Sequence, residues 1–245
     1  MIKKIKSIFK KNNNLRYKKK LISLIPNICD HIKKNKSCGA SFSDYYQIYN
    51  YIIKFRPKYI LECGSGISSF VIARALQENY KNTGFKALLI SMEENSEYYE
   101  DIKKNFPLEL NNYVDFRLSP RVEKKYSFYC GDGYKDIPKF DYEIVFIDGP
   151  NTVSPIDGIR KFDFDLITAV EMSAKPITCF IDHRLSTLYC YQNIFTKKKV
   201  KYDKSKNLGI VTSVTQKDFV RDWNRHNYKF NFFSKYYKRT RNSKT

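Results

Sequence analysis

Residues 58–214 alternate strand-like and helix-like segments, and this alternation limits the fold more than any other property of the chain. Apolar runs at 58–63, 87–92, 114–118, 143–147 and 177–181 have the length and content of buried strands. Helical spacing follows four of them, over about 68–80, 96–106, 159–173 and 185–195. Two more strands near 199–203 and 209–214 flank the polar turn Lys204–Leu208, which contains Asn207, and read as an antiparallel hairpin that closes the sheet. Residues 119–140 read as irregular, with Gly131 and Gly133 marking turns. Upstream, Gly39–Asp44 has the form of a helix start capped by Ser or Asp. Tyr46, Ile48, Tyr49, Ile52 and Phe55 give that helix an apolar face before Pro57 ends it. One further helix is expected within 15–36, around Leu21–Ile25. The fold class that follows is α/β: a doubly wound, mostly parallel seven-stranded sheet with an antiparallel last strand and helices on both faces. The chain divides into a basic helical extension (1–40), a Rossmann-like domain (41–214) and a basic, aromatic tail (215–245).

The first strand passes into its helix through Glu62-Cys63-Gly64-Ser65-Gly66-Ile67-Ser68-Ser69. Two glycines permit a tight turn and close ligand approach, and the helix start presents free N–H groups. In an open parallel sheet, ligands bind beyond the carboxyl ends of the strands. Those ends carry Glu62, Gly64 and Gly66 on the first strand, Glu93 on the second, Asp148 on the fourth, and Asp182 with His183 on the fifth. Each taken singly is accounted for by a cap or a turn. Four polar clusters on one edge are not. Glu93, 27 residues past Gly66, stands where a carboxylate accepts ribose hydroxyls. A dinucleotide fingerprint requires a third glycine three residues after the second, and Ser69 holds that position.

Over roughly residues 55–214 the sequence resembles the class I S-adenosylmethionine-dependent methyltransferases. The motifs that carry the resemblance are Glu62–Ser68, Ser91–Tyr99, Phe146-Ile147-Asp148-Gly149-Pro150 and the closing hairpin, which nicotinamide Rossmann domains lack. It implies S-adenosylmethionine as cofactor, with Glu62, Gly64, Gly66 and Glu93 as contacts and adenine near the end of strand three, against Ser119. Ile147-Asp148-Gly149-Pro150 with Ile181-Asp182-His183-Arg184 looks like the bacterial members tied to surface-glycan or secondary-metabolite synthesis. The resemblance therefore implies O-methylation of a small-molecule or glycan-precursor hydroxyl. An Asn-Pro-Pro-aromatic motif and a strand-five lysine are both absent, which places nucleic acid behind a small acceptor.

Methyl transfer is an in-line displacement that draws mostly on orientation, with a base where the acceptor must lose a proton. His183 is the candidate base, with Asp148 as orienter or alternative base and Asp182 as the third catalytic residue. A divalent-metal variant would place Asp148, Asp182 and His183 on magnesium. His183 stands where that arrangement uses Asp or Asn, so the metal ranks second. His183 also reads as a cap on the following helix. Two other functions remain open: a nicotinamide-dependent oxidoreductase or epimerase, and a non-catalytic protein held to nucleic acid or membrane by its basic ends.

The net charge of +20 is uneven: +11 over residues 1–36, +12 over 197–245 and −3 between them. Such ends are drawn to anionic surfaces, and they are equally the solvating coat of a lysine-rich chain. Ile2, Ile5, Ile8 and Phe9 oppose lysines in the pattern of a short basic helix for weak membrane-surface contact. The tail Tyr228–Arg239 interleaves rings with cations. The six cysteines are scattered without a Cys-x-x-Cys pair, and neither a bilayer-spanning run nor a secretory signal is seen. The expected location is the cytoplasm, with peripheral attachment to the inner face of the membrane as an option.

Overall fold

The computed structural model describes residues 14–36 and 41–220. The basic segment around Ile2–Phe9, Cys38 and the tail Tyr228–Arg239 lie outside the described residues. In chain order the elements are α1 (14–24), α2 (Ile28–Lys34), α3 (Phe42–Phe55), β1 (Tyr59–Cys63), α4 (Ile67–Thr83), β2 (Leu88–Glu93) and α5 (Ser96–Asn105). They continue with β3 (Val114–Leu118), β4 (Arg121–Tyr126), β5 (Tyr129–Tyr134), β6 (Ile144–Ile147), β7 (Phe162–Asp163) and α6 (Asp165–Met172). The last are β8 (Ile177–Ile181), α7 (Leu185–Ile194), β9 (Val200–Asp203) and β10 (Leu208–Val214).

The main sheet has seven strands in the order β3-β2-β1-β6-β8-β10-β9. Pairings from β3 to β8 are parallel, and β10 runs antiparallel to both β8 and β9. The expected closing hairpin is present. Side chains alternate across the sheet, so the central strands feed two cores. Leu61, Cys63, Val145, Ile147, Cys179 and Ile181 pack with α6 and α7 on one face. Ile60, Leu89, Ile144, Phe146 and Phe180 pack with α3 and α4 on the other. The chain order reverses at β1, which lies between β2 and β6, and this opens the ligand crevice of a doubly wound sheet there.

Three local expectations are corrected. Residues 119–140 are not irregular: β4 and β5 form an antiparallel hairpin, and β7 joins β5 in parallel to make a separate three-stranded sheet. Gly131 and Gly133 lie inside β5, where there is no room for a side chain. A β-carbon on Gly131 would stand 2.7 Å from the Phe162 carbonyl oxygen, and one on Gly133 would stand 2.5 Å from Asp165 Oδ1. The helix expected over 159–173 begins only at Asp165, because 162–163 is taken into that small sheet. Residues 15–36 hold two helices rather than one, broken at Pro26-Asn27. They bury Leu21, Ile25 and Ile28 in the α3–α4 core, and each such side chain contributes about 1.5–3 kcal/mol.

Candidate active site

The glycine turn is held from below. Glu62, at the β1 end, is fully buried and accepts hydrogen bonds from Ser69 Oγ (2.5 Å) and Ser91 Oγ (2.6 Å) on the same oxygen, Oε2. Ser69 Oγ in turn accepts from the Gly66 N–H (3.1 Å), so one hydroxyl ties the turn to the acid beneath it. This is the local reason for serine where a dinucleotide site has glycine. Glu62 Oε1 is buried without a partner, and burial raises the carboxyl from 4.5 to about 7. Its carboxylate thus braces the turn through Ser69 and Ser91.

Gly64 has φ +95°, a conformation that favours glycine, and its amide donates to the Met92 carbonyl (2.9 Å). Its Cα face is covered by the loop after β6, where Gly149 packs backbone to backbone against it. Gly66 is extended and leads into α4, whose first N–H groups face the carboxyl edge of the sheet.

Glu93 ends β2 with three backbone donors on its carboxylate. Oε1 accepts from Glu94 N–H and Asn95 N–H (both 2.9 Å), and Oε2 accepts from Ser65 N–H (3.1 Å). A carboxylate oxygen accommodates about two such bonds, so Oε2 retains room for one hydroxyl and Oε1 is filled. Burial raises Glu93, and the three amides oppose that shift. Ser119 is also occupied: its Oγ accepts from Asp136 N–H (3.0 Å), and its own N–H extends the β2 ladder to the Glu93 carbonyl (2.9 Å).

Asp148 leaves β6 beside the turn, and Ser68 Oγ donates to its Oδ2 (3.2 Å). Asp182 and His183 leave β8 one strand away. His183 extends outward with its side chain 74% exposed and Nδ1 3.7 Å from Asp182 Oδ2. Asp182 is 13% exposed and committed to Arg184, accepting from its N–H (3.1 Å) and its Nε (2.9 Å). Burial raises the Asp182 carboxyl, while Arg184 and then His183 lower it. Glu62, the turn, Glu93, Asp148, Asp182 and His183 thus gather along one edge. Asp148, Asp182 and His183 do not form a metal cage: among the described residues no three His, Cys, Asp or Glu side chains are placed to ligate one ion.

Two residues of this edge were not singled out from the sequence. Arg184 donates from Nη1 to the Pro150 carbonyl (2.5 Å) and from Nη2 to the Asp148 carbonyl (3.1 Å). Asp44, in the first turn of α3, forms a capping box with Ser41. Its Oδ1 is buried without a partner, and its carboxyl is pushed up to about 7, first by burial, with the charges of Asp148 and Asp182 adding to the shift. The only sequence signal for Asp44 was its position as a cap. A cavity of about 440 Å³ lined by Pro26, Tyr49, Arg74, Gln77 and Lys81 sits over the second half of α4, on a helix face and not at the strand ends.

No protein-family model and no curated protein matches this chain. Among solved structures it is similar to a protein-L-isoaspartate O-methyltransferase, at 17% identity and TM-score 0.36 over 58% of this chain and 37% of that one. It is also similar to precorrin-6y C5,15-methyltransferase from Geobacter metallireducens, at 14% identity and TM-score 0.40 over 70% and 89%. A third is the plantazolicin methyltransferase in complex with SAH, at 13% identity and TM-score 0.29 over 81% and 60%. The chain thus spans little more than a third of the first of these structures. At such identities the functional reading rests on the site itself.

Proposed function

We propose that the chain is an S-adenosylmethionine-dependent methyltransferase that acts on a hydroxyl of a small molecule or glycan precursor. The observation that carries this reading is the charge of the crevice. Glu93 and Asp148 flank the glycine turn where the strand order reverses, with Asp182 already paired with Arg184 and Asp44 raised to about 7 by burial, so the acids nearest the turn suit a ligand with cationic groups. Arg121 and Arg184 at this end are already engaged, on Asn151 and Asp132 carbonyls and on the Asp148 loop respectively. A pyrophosphate would be repelled by these carboxylates, whereas a sulfonium and an ammonium would be attracted to them. Ser69, holding the turn where a third glycine would stand, supports the same choice over a nicotinamide cofactor.

When bound, S-adenosylmethionine supplies an electrophilic methyl group. Glu93 Oε2 would accept one ribose hydroxyl, and Gly64–Gly66 would carry the methionine side. Glu62 would keep the turn in register through Ser69 and Ser91. Asp148 would orient the acceptor hydroxyl toward the methyl group. The proton leaves to Asp148 or to His183, which stands at the solvent edge and can pass it to bulk water. The domain division at 40 and 214 belongs to the same proposal, as do a cytoplasmic location and weak contact of the basic ends with an anionic membrane surface. No helix among the described residues is long and apolar enough to cross a membrane. The test is transfer of labelled methyl from S-adenosylmethionine across a panel of hydroxyl-bearing sugars and phenols. Transfer to amines tested alongside them, with none to any hydroxyl, would overturn the acceptor class.

A further inference from the structure

We propose that Arg184 is a positioning residue, whose guanidinium holds the Asp148–Pro150 loop against the glycine turn and so sets the floor of the donor site. The inference rests on the donor reading above. Arg184 is nearly buried, with 10% of its side chain exposed, and it uses its donors in three directions. Nε meets Asp182 Oδ1 at 2.9 Å, Nη1 meets the Pro150 carbonyl at 2.5 Å, and Nη2 meets the Asp148 carbonyl at 3.1 Å. The two carbonyls belong to a loop otherwise pinned to β1 by Asp148 N–H (3.2 Å) and Gly149 N–H (2.8 Å), which share the Cys63 carbonyl. One carbonyl on β1 and one arginine from beyond β8 therefore grip residues 148–150, while Asn151 just after them is held by Arg121 Nη1 on its carbonyl (2.5 Å) and by Glu94 Oε1, which accepts from its N–H (3.1 Å).

The grip matters because of what the loop touches. Gly149 lies in direct backbone contact with Gly64, the residue that turns the chain toward the helix N-terminus. A shift of the loop moves the turn, the Asp148 carboxylate and the Ser68 hydroxyl bonded to it together. Asp182 holds the guanidinium plane through a charged pair. Its own orientation is fixed by the Arg184 N–H, so Asp182, at the end of β8, acts on the loop through the arginine. Lysine is a point donor on a flexible stem and can satisfy one of these partners, while the planar fork satisfies all three.

The test uses the full chain and two readouts. Hydrogen exchange of the ligand-free protein over residues 144–152 reports the loop, and calorimetric titration with S-adenosylhomocysteine reports the donor site. In Arg184→Ala, exchange at the Gly149 amide should accelerate at least tenfold and affinity should fall at least tenfold. Arg184→Lys should lie between that variant and the wild type, and guanidinium chloride far below denaturing concentration should restore part of the Arg184→Ala affinity. Unchanged exchange in Arg184→Ala overturns the proposal. So does a parallel loss of affinity and of melting temperature that neither lysine nor added guanidinium relieves, since that is the behaviour of a purely structural residue. If the wild type takes up no S-adenosylhomocysteine, the donor reading fails, and the exchange rates still decide the role of Arg184.

Discussion

Gly64 and Gly149 meet backbone to backbone: a β-carbon built on Gly64 would stand 2.4 Å from the Gly149 Cα, and one built on Gly149 would stand 2.7 Å from the Gly64 Cα. No side-chain adjustment relieves such a contact, because both partners are main chain. Gly64→Ala adds the strain of an L-residue at φ +95°, typically about 1–3 kcal/mol, to that clash. Gly84 is the control, with φ +70° and nothing within 4 Å of its β-carbon position. Chemical denaturation should show Gly64→Ala losing clearly more stability than Gly84→Ala, and equal losses would mean that the two loops are not in contact.

Glu62 should leave a signature in the pH dependence of stability. Its carboxyl is raised by burial from 4.5 to about 7 in the folded chain, so between those values the folded state holds a proton that the unfolded state has released. Stability from this group is present below pH 4.5 and is lost as pH rises to 7, on the order of 3 kcal/mol. Glu62→Gln removes the titration. Its stability should fall less than that of the wild type across that window in parallel urea titrations. Parallel curves would place the Glu62 carboxyl at its ordinary value.

Ser69 serves two masters, donating to Glu62 and accepting from Gly66 N–H. Ser69→Ala leaves a buried amide unpaired and takes one of two donors from a buried acid, at a cost of about 1–3 kcal/mol. Ser69→Thr keeps the hydroxyl and should recover most of that loss in the same denaturation assay. Equal losses in the two variants would indicate a packing defect and not a lost hydrogen bond.

The large-scale plan of the fold was legible because it depends on patterns a sequence carries openly. The central strands are short apolar runs, the intervening helices have their own period, and Asn207 marks the last hairpin. The small sheet was hidden. β4 reads Arg-Val-Glu-Lys-Lys-Tyr, with no apolar alternation, and the glycines of β5 look like turn residues until Phe162 and Asp165 are seen crowding them. At the site, the acids were visible as strand-end residues. Arg184 was not, since two of its partners are carbonyls 34 and 36 residues away, and backbone atoms leave no trace in a sequence. Glu62 was visible, but not the direction of its carboxylate, which depends on two hydroxyls 7 and 29 residues away.

His183 offers a clean separation of catalysis from stability. It is 74% exposed at the side chain, so His183→Ala should change folding stability by no more than about 0.5 kcal/mol. If it takes the acceptor proton, the same change should lower turnover by about 10²–10⁴ while leaving donor affinity intact. If His183→Ala retains full turnover, the base is Asp148, and Asp148→Asn should then show the loss.

The central claim is the identity of the donor, and calorimetric titration of the wild type and of Glu93→Ala tests it most directly. S-adenosylmethionine and S-adenosylhomocysteine should bind the wild type and NAD should not. Loss of the Glu93 carboxylate should weaken binding by about 1.5–3 kcal/mol, which is roughly 10- to 150-fold. Binding of NAD alone, or S-adenosylmethionine affinity indifferent to Glu93, would contradict it.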